Sequence, residues 1–203
     1  MKKNLIIGVV LFSLFMFMLL LVILQKTSFI DNNIYNIVRM LRCDFFDSYF
    51  ILITRFGNNI FIVAVVFMFI LVSRNKYGII LGTSACISII SNSIIKGIIQ
   101  RSRPNGLRLI SQGGYSFPSG HAMISVCVYG YLLYLVITKI ENKIIKYGLS
   151  MLLVMLILSI GISRIYVGVH YATDVIAGYL LATLELLLLV QLTNRYYRGS
   201  KDV

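Results

Sequence analysis

The chain contains two histidines, His121 and His170, and each lies beside residues able to handle a phosphoryl group. His170 belongs to the segment Ser163-Arg164-Ile-Tyr166-Val-Gly168-Val-His170-Tyr-Ala-Thr-Asp174, in which Asp174 follows it by four residues. On a helix that spacing sets imidazole and carboxylate on one face, about one turn apart. The carboxylate can then accept a hydrogen bond from one ring nitrogen and fix the tautomer that leaves the other free to attack. His121 ends Pro118-Ser119-Gly120-His121, directly before an apolar run. Ser119 and Gly120 at a helix start offer a hydroxyl and backbone N–H groups suited to an anion, and Gly120 permits close approach of a phosphate oxygen. A third segment, Lys96-Gly-Ile-Ile-Gln-Arg-Ser-Arg103-Pro104, supplies cations. Lys96 ends an apolar run and can snorkel to the interface, and Pro104 turns the chain out of any helix.

Taken singly, these segments read as a basic membrane flank, a helix cap and a helix-surface hydrogen bond. Together they describe a phosphoryl pocket. Lys96, Arg103 and Arg164 neutralise phosphate oxygens, N–H donors hold them, and an imidazole with a carboxylate partner stands ready to attack. Asp174 is an acid at the mouth of an apolar helix, where ionised groups are costly and usually functional. The alternative use of His121, His170 and Asp174 is a zinc site. Three neighbouring cations would repel a divalent ion, and neither loop offers a further carboxylate. The expectation is therefore metal-independent chemistry with no cofactor.

The elements that must position these residues are apolar. Of 203 residues, 59% are hydrophobic and 13% charged, and the mean hydropathy is +0.89. A soluble domain is usually about a quarter charged. The formal charge of +12 would suggest nucleic acid in a soluble protein. Here the basic residues lie between apolar runs, so a membrane surface and an anionic substrate are the expected partners, and nucleic acid is not. A spanning helix needs roughly 20 mostly apolar residues. Six candidates follow: Leu5–Leu24, Gly57–Ser73, Tyr77–Ile99, His121–Thr138, Ile145–Ser163 and Thr173–Leu192. The first is too long for a signal-peptide core and is read as an uncleaved span. The second is the shortest in purely apolar residues. Between the first two, 25–56 alternates apolar and charged residues at helical spacing, which predicts one amphipathic helix at the interface. The expected fold is all-α and polytopic, a single membrane-embedded domain over 1–203 with its motifs within 96–174. Cys43, Cys86 and Cys127 match no metal or redox spacing and are read as packing residues.

Both motif-bearing loops lie on one side of the membrane, because two spans separate them. With Lys96, Arg103 and Arg164 assigned to the pocket, the remaining basic residues favour one orientation. Lys2, Lys3, Arg74, Lys76, Lys139, Lys143, Lys146, Arg195, Arg198 and Lys201 fall on the side of the termini. The positive-inside rule then puts both termini in the cytoplasm and the pocket outside a cell membrane.

The three segments together resemble the signature of the type 2 phosphatidic acid phosphatase superfamily: Lys, six residues, Arg-Pro; Pro-Ser-Gly-His; Ser-Arg, five residues, His, three residues, Asp. Lys96, Arg103, Pro104, Ser119, Gly120, His121, Ser163, Arg164, His170 and Asp174 occupy its positions in order. The resemblance is to the bacterial membrane lipid phosphatases that act on phosphatidylglycerophosphate or undecaprenyl diphosphate. It implies a metal-independent hydrolase for a terminal lipid phosphate. In that scheme His170 attacks phosphorus and becomes phosphohistidine while Asp174 supports it. His121 protonates the leaving oxygen and then activates water. Lys96, Arg103, Arg164, Ser119 and the N–H of Gly120 hold the phosphate. The substrate expected is a phospholipid or isoprenoid (di)phosphate: phosphatidylglycerophosphate, undecaprenyl diphosphate or phosphatidic acid. Transfer of the phosphate to an acceptor alcohol is a second reading, and a non-catalytic lipid-binding or transport protein a third. The intact His121, His170 and Asp174 count against the third.

Overall fold

The computed structural model describes residues 2–73 and 76–199, with side chains through Arg195. Arg74, Lys201 and the side chain of Arg198, which entered the loop-charge argument, lie outside the described residues. The chain runs through α1 (Lys2–Ile23), α2 (Ser28–Met40), α3 (Asp44–Arg55), α4 (Asn59–Ser73) and α5 (Lys76–Ile99). The loop 100–119 leads into α6 (Gly120–Ser125), a π-helical turn (Val126–Gly130) and α7 (Tyr131–Lys139). Two long helices, α8 (Lys143–Tyr166) and α9 (Ala172–Gly199), complete the fold. Among the described residues no strand occurs.

Among the described residues, five segments are long and apolar enough to cross a bilayer: α1, α5, Gly120–Lys139, α8 and the α9 stretch Ala172–Arg195. The sixth candidate is a bent pair of helices, α3 with α4. The 15 residues of α4 reach about 22 Å at ~1.5 Å per residue, short of a hydrocarbon core of ~30 Å. The span expected over Gly57–Ser73 therefore needs α3 to complete it, and the two helices meet at a 52° bend. Gly57 lies in that break. A Cβ there would come within 2.8 Å of Ile160 and 2.9 Å of the His121 ring, so glycine lets the backbone pass against His121. Backbone groups freed by a break inside a membrane must find partners. The amide of Gly57 donates to Thr54 O at 3.1 Å, and Phe56 O accepts from the Tyr129 hydroxyl at 2.7 Å. Asn58 Oδ1 accepts from Ile60 N at 3.0 Å and caps α4.

The single amphipathic helix expected between the first two spans is in fact two, α2 and α3, separated by Leu41–Cys43. Both pack on the bundle. Phe50 of α3 lies 4.4 Å from the Tyr166 ring of α8, and the Tyr166 hydroxyl donates to Asp47 Oδ1 at 2.5 Å. Elsewhere α1 packs along α9, burying Phe15, Met18 and Val22. The fourth span carries an unforeseen π turn, which leaves Cys127, Val128 and Tyr129 buried. Only Cys127 packs inside as expected of all three cysteines; Cys43 and Cys86 are exposed.

Candidate active site

The C-terminal ends of α1, α5 and α8 and the N-terminal ends of α6 and α9 gather at one end of the bundle, where α2 and the loop 100–119 cover them. Between α8 and α9 the chain turns within five residues. Val167 N donates to Ser163 O at 2.8 Å, and the amides of Val169 and His170 both donate to Arg164 O at 3.2 Å. Gly168 makes this turn possible with φ +78°. Any Cβ there would collide with the carbonyl oxygen of Leu107. His170 thus stands in the turn and not on a helix, while Asp174 occupies the first turn of α9. The expected helix-face pair survives by different geometry: His170 Nδ1 lies 3.4 Å from Asp174 Oδ2.

Asp174 is fully buried, and its oxygens are met by donors. Oδ2 also accepts from Tyr171 N at 2.9 Å and from the Ser116 hydroxyl. Oδ1 accepts from Arg101 Nη1 at 2.6 Å. A buried carboxylate so supplied stays ionised. The other nitrogen of His170, Nε2, faces Arg103 Nη1 at 3.2 Å. With Nδ1–H directed at Asp174, Nε2 carries the lone pair. Burial pushes the His170 pKa down to about 4; the hydrogen bond and charge of Asp174 pull it up, and the charges of Arg164 and Arg103 push it further down. The imidazole is therefore neutral at ordinary pH.

Arg103 ties three chain segments together. Its Nη1 donates to Val169 O at 2.7 Å, Nη2 to Gly113 O at 2.9 Å and Nε to Gly114 O at 2.9 Å. Arg164 is 1% exposed. Its Nη1 donates to Thr54 Oγ1 at 2.6 Å and its Nη2 to Gln112 Oε1 at 2.9 Å. Its Nε is buried with no partner among the described residues, a group that costs roughly 1–3 kcal/mol when left unmet. His121 lies within electrostatic reach of Arg164, His170, Lys96 and Arg103, and Lys96 within reach of Arg103, Asp174 and Arg164. Ser119 is wholly buried. Its Oγ accepts from Ala122 N as the cap of α6, which leaves its own proton to donate. Gly120 begins α6, and a Cβ there would come within 3.0 Å of Asn92 Oδ1. The missing side chain makes room for Asn92, whose Nδ2 donates to Pro118 O at 3.0 Å. The structure brings all eight predicted site residues to one end of the bundle.

Several residues behind these were not read from the sequence: Asp31, Thr54, Arg101, Gln112, Ser116 and Thr173. Arg101 and Thr173 lay inside two of the motif segments, but their roles depend on what they face. The others are common polar residues whose significance comes from chain segments far away in sequence.

A multi-pass helical bundle with an imidazole–carboxylate pair and buried guanidinium groups at one end defines a narrow class of membrane protein. The chain belongs to the PAP2 superfamily, whose pattern matches residues 77–198. It is 36% identical over 97 residues to phosphatidylglycerophosphatase B of Bacillus subtilis (strain 168), an alignment that spans 46% of this chain and about half, 46%, of that relative. It is 30% identical over 158 residues to an undecaprenyl-diphosphatase of Sulfolobus acidocaldarius, covering 71% of this chain and 69% of the relative. The crystal structure of a transmembrane PAP2-type phosphatidylglycerolphosphate phosphatase from Bacillus subtilis superposes with a TM-score of 0.84 at 24% identity, over 93% of this chain and 96% of that one. Aquifex aeolicus LpxE superposes at 0.68 and 20% identity, over 80% and 95%. At these identities the two structures share the fold.

Proposed function

We propose that this chain is an integral membrane lipid phosphatase that releases a terminal phosphate from a phospholipid or isoprenoid (di)phosphate through phosphohistidine at His170. The observation that carries this reading is the placement of the two nitrogens of His170, one against Asp174 and the other against Arg103. A phosphate oxygen entering beside them takes the Arg103 donor and frees the Nε2 lone pair. It also meets the unpartnered N–H of Arg164. Nε2 then bonds to phosphorus as the bond to the lipid oxygen breaks, and His121 gives that oxygen its proton. In the second step His121 takes a proton from water, whose oxygen attacks phosphorus. The N–P bond breaks, and inorganic phosphate and neutral His170 are regenerated. Lys96, Arg103, Arg164, Ser119 and the N–H of Gly120 hold the phosphate throughout. Charge on the transferred group is met by fixed donors, so the scheme runs without a metal.

A lipid substrate is favoured because the site stands at helix ends, where a headgroup lies while its chains remain in the bilayer. The relatives named for phosphatidylglycerophosphate and undecaprenyl diphosphate make these two, with phosphatidic acid, the substrates to test. Purified protein is assayed for phosphate release from all three with a chelator present. Release by the wild type, loss of on the order of 10⁴-fold in His170→Ala, and acid-labile label trapped on the wild type are expected. Full activity in His170→Ala, or activity that appears only with added divalent metal, contradicts the reading.

A further inference from the structure

The amphipathic helix α2 sends one carboxylate into the bundle. Asp31 is 4% exposed, a costly position for an acid unless it is met by partners. Its Oδ2 accepts from Arg101 Nη2 at 2.7 Å. Its Oδ1 accepts from the backbone N–H of Thr173 at 3.0 Å and from the Thr173 hydroxyl at 2.9 Å. Arg101 is thereby held between two carboxylates, Asp31 on Nη2 and Asp174 on Nη1 at 2.6 Å. Thr27 Oγ1 accepts from Nη2 at 2.8 Å, and the Tyr171 ring lies under the guanidinium at 4.0 Å. Asp31 also meets an amide in the first turn of α9, where helix N–H groups lack helical partners and favour negative charge. One residue from α2 thus anchors the start of the helix that carries Asp174 and the arginine that grips Asp174.

We infer that Asp31 is a positioning residue for His170, acting through Arg101 and Asp174, so that α2 is part of the catalytic apparatus and more than a surface anchor. This rests on the reading of His170 as nucleophile. With Asp31 ionised, Arg101 divides its charge between two acids. Asp174 keeps enough negative character to hold the Nδ1 proton and leave Nε2 nucleophilic. Without that charge, the whole of Arg101 acts on Asp174, and Asp174 becomes a weaker acceptor for the imidazole. Loss of a nearby negative charge acts on His170 in the same direction. The charged and titratable groups around the pair are Asp31 from α2, Lys96 from α5, Arg101, Arg103 and Arg108 from the loop, His121 from α6, Arg164 from α8, and Tyr171. The first variant changes Asp31 and leaves the other groups in place.

Asp31→Asn is suited to the test, because the amide oxygen can still accept from Thr173 N and keep the cap. The full chain, untagged, carries two histidines, so isotope-labelled imidazole gives two sets of ring resonances, assigned with His121→Ala. The expected result is a His170 titration lowered by roughly half a unit to one unit, with kcat on the best of the three lipid phosphates reduced about 10- to 100-fold. KM should stay within about threefold, and Asp31→Glu should restore part of kcat. If Asp31 only fastens α2, the variant loses thermal stability but keeps the His170 titration and kcat, and the inference is overturned. Should Asp31→Asn not fold, Arg101→Lys replaces it, since an ammonium cannot reproduce the planar fork that joins both acids; an unchanged His170 titration there overturns the inference too. The imidazole titration is independent of turnover. A shifted titration in a protein that hydrolyses no lipid phosphate would sink the proposed function while leaving the positioning role standing.

Discussion

The Arg164 guanidinium reaches across the bundle to Thr54, donating from Nη1 to Oγ1 at 2.6 Å over 110 residues of sequence. Thr54 is buried in the last turn of α3, next to the break before α4. This contact makes the bent pair part of the site. It aims a buried cation by holding one end, with Gln112 holding another.

Replacing that hydroxyl tests whether aim matters. Thr54→Val is close to isosteric and leaves Nη1 without its partner, a loss of roughly 1–3 kcal/mol. We expect a fall of about tenfold or more in kcat/KM for lipid phosphate, with the fold retained. The check is a steady-state assay alongside a thermal melt in detergent. A stable variant with unchanged kcat/KM would show that Arg164 keeps its place by other means.

Protonation gives a second test. His170 has its pKa pushed down to about 4 by burial, against a free value of 6.5. Between those values the unfolded chain binds a proton that the folded chain does not. The stability this neutral imidazole contributes is complete above about pH 6.5 and is lost as pH falls toward 4. The melting temperature should decline over that window, and less so in His170→Gln. Catalytically, His170 stays neutral through the same window, so the acid limb that it sets belongs near pH 4. An acid limb that is centred near pH 6.5 and traced to His170 by imidazole titration contradicts this.

The turn that presents His170 depends on one glycine. Gly168→Ala puts a side chain at φ +78° and against Leu107 O. The left-handed conformation alone costs ~1–2 kcal/mol, and relief of the clash must move the loop 100–119 or the turn. Activity should fall at least tenfold, since misplacement by about 1 Å can cost on the order of 100-fold. Parallel measurements of melting temperature and kcat decide it. Wild-type values for both would mean that the turn adapts without disturbing His170.

Orientation can be read with a thiol. Gly113 has open space where a Cβ would stand, so Gly113→Cys is tolerated sterically. The exposed Cys43 and Cys86 are first changed to Ser. A membrane-impermeant maleimide should label the variant from outside intact cells. Labelling only after permeabilisation reverses the proposed topology.

Much of this protein was legible in local patterns. Hydropathy located the spans because a bilayer core imposes length and apolarity on each segment separately. The spacing of Lys96, Arg103, Ser119, Gly120, His121, Arg164, His170 and Asp174 pointed to phosphate chemistry, since the needed groups occur within short segments. What the sequence by itself could not reveal depends on groups that meet through space. Its four-residue spacing paired His170 with Asp174 as on one helix face, and the fold makes that pair from a turn shaped by Gly168. The sequence showed one amphipathic helix where packing divides the segment into two and bends the second against α4. The clearest case is Asp31, which is 70 residues from Arg101 and 142 from Thr173. Nothing near it in sequence distinguishes it from an ordinary surface acid. A buried carboxylate acquires its meaning from the donors that surround it, and only the docking of α2 over the start of α9 supplies them.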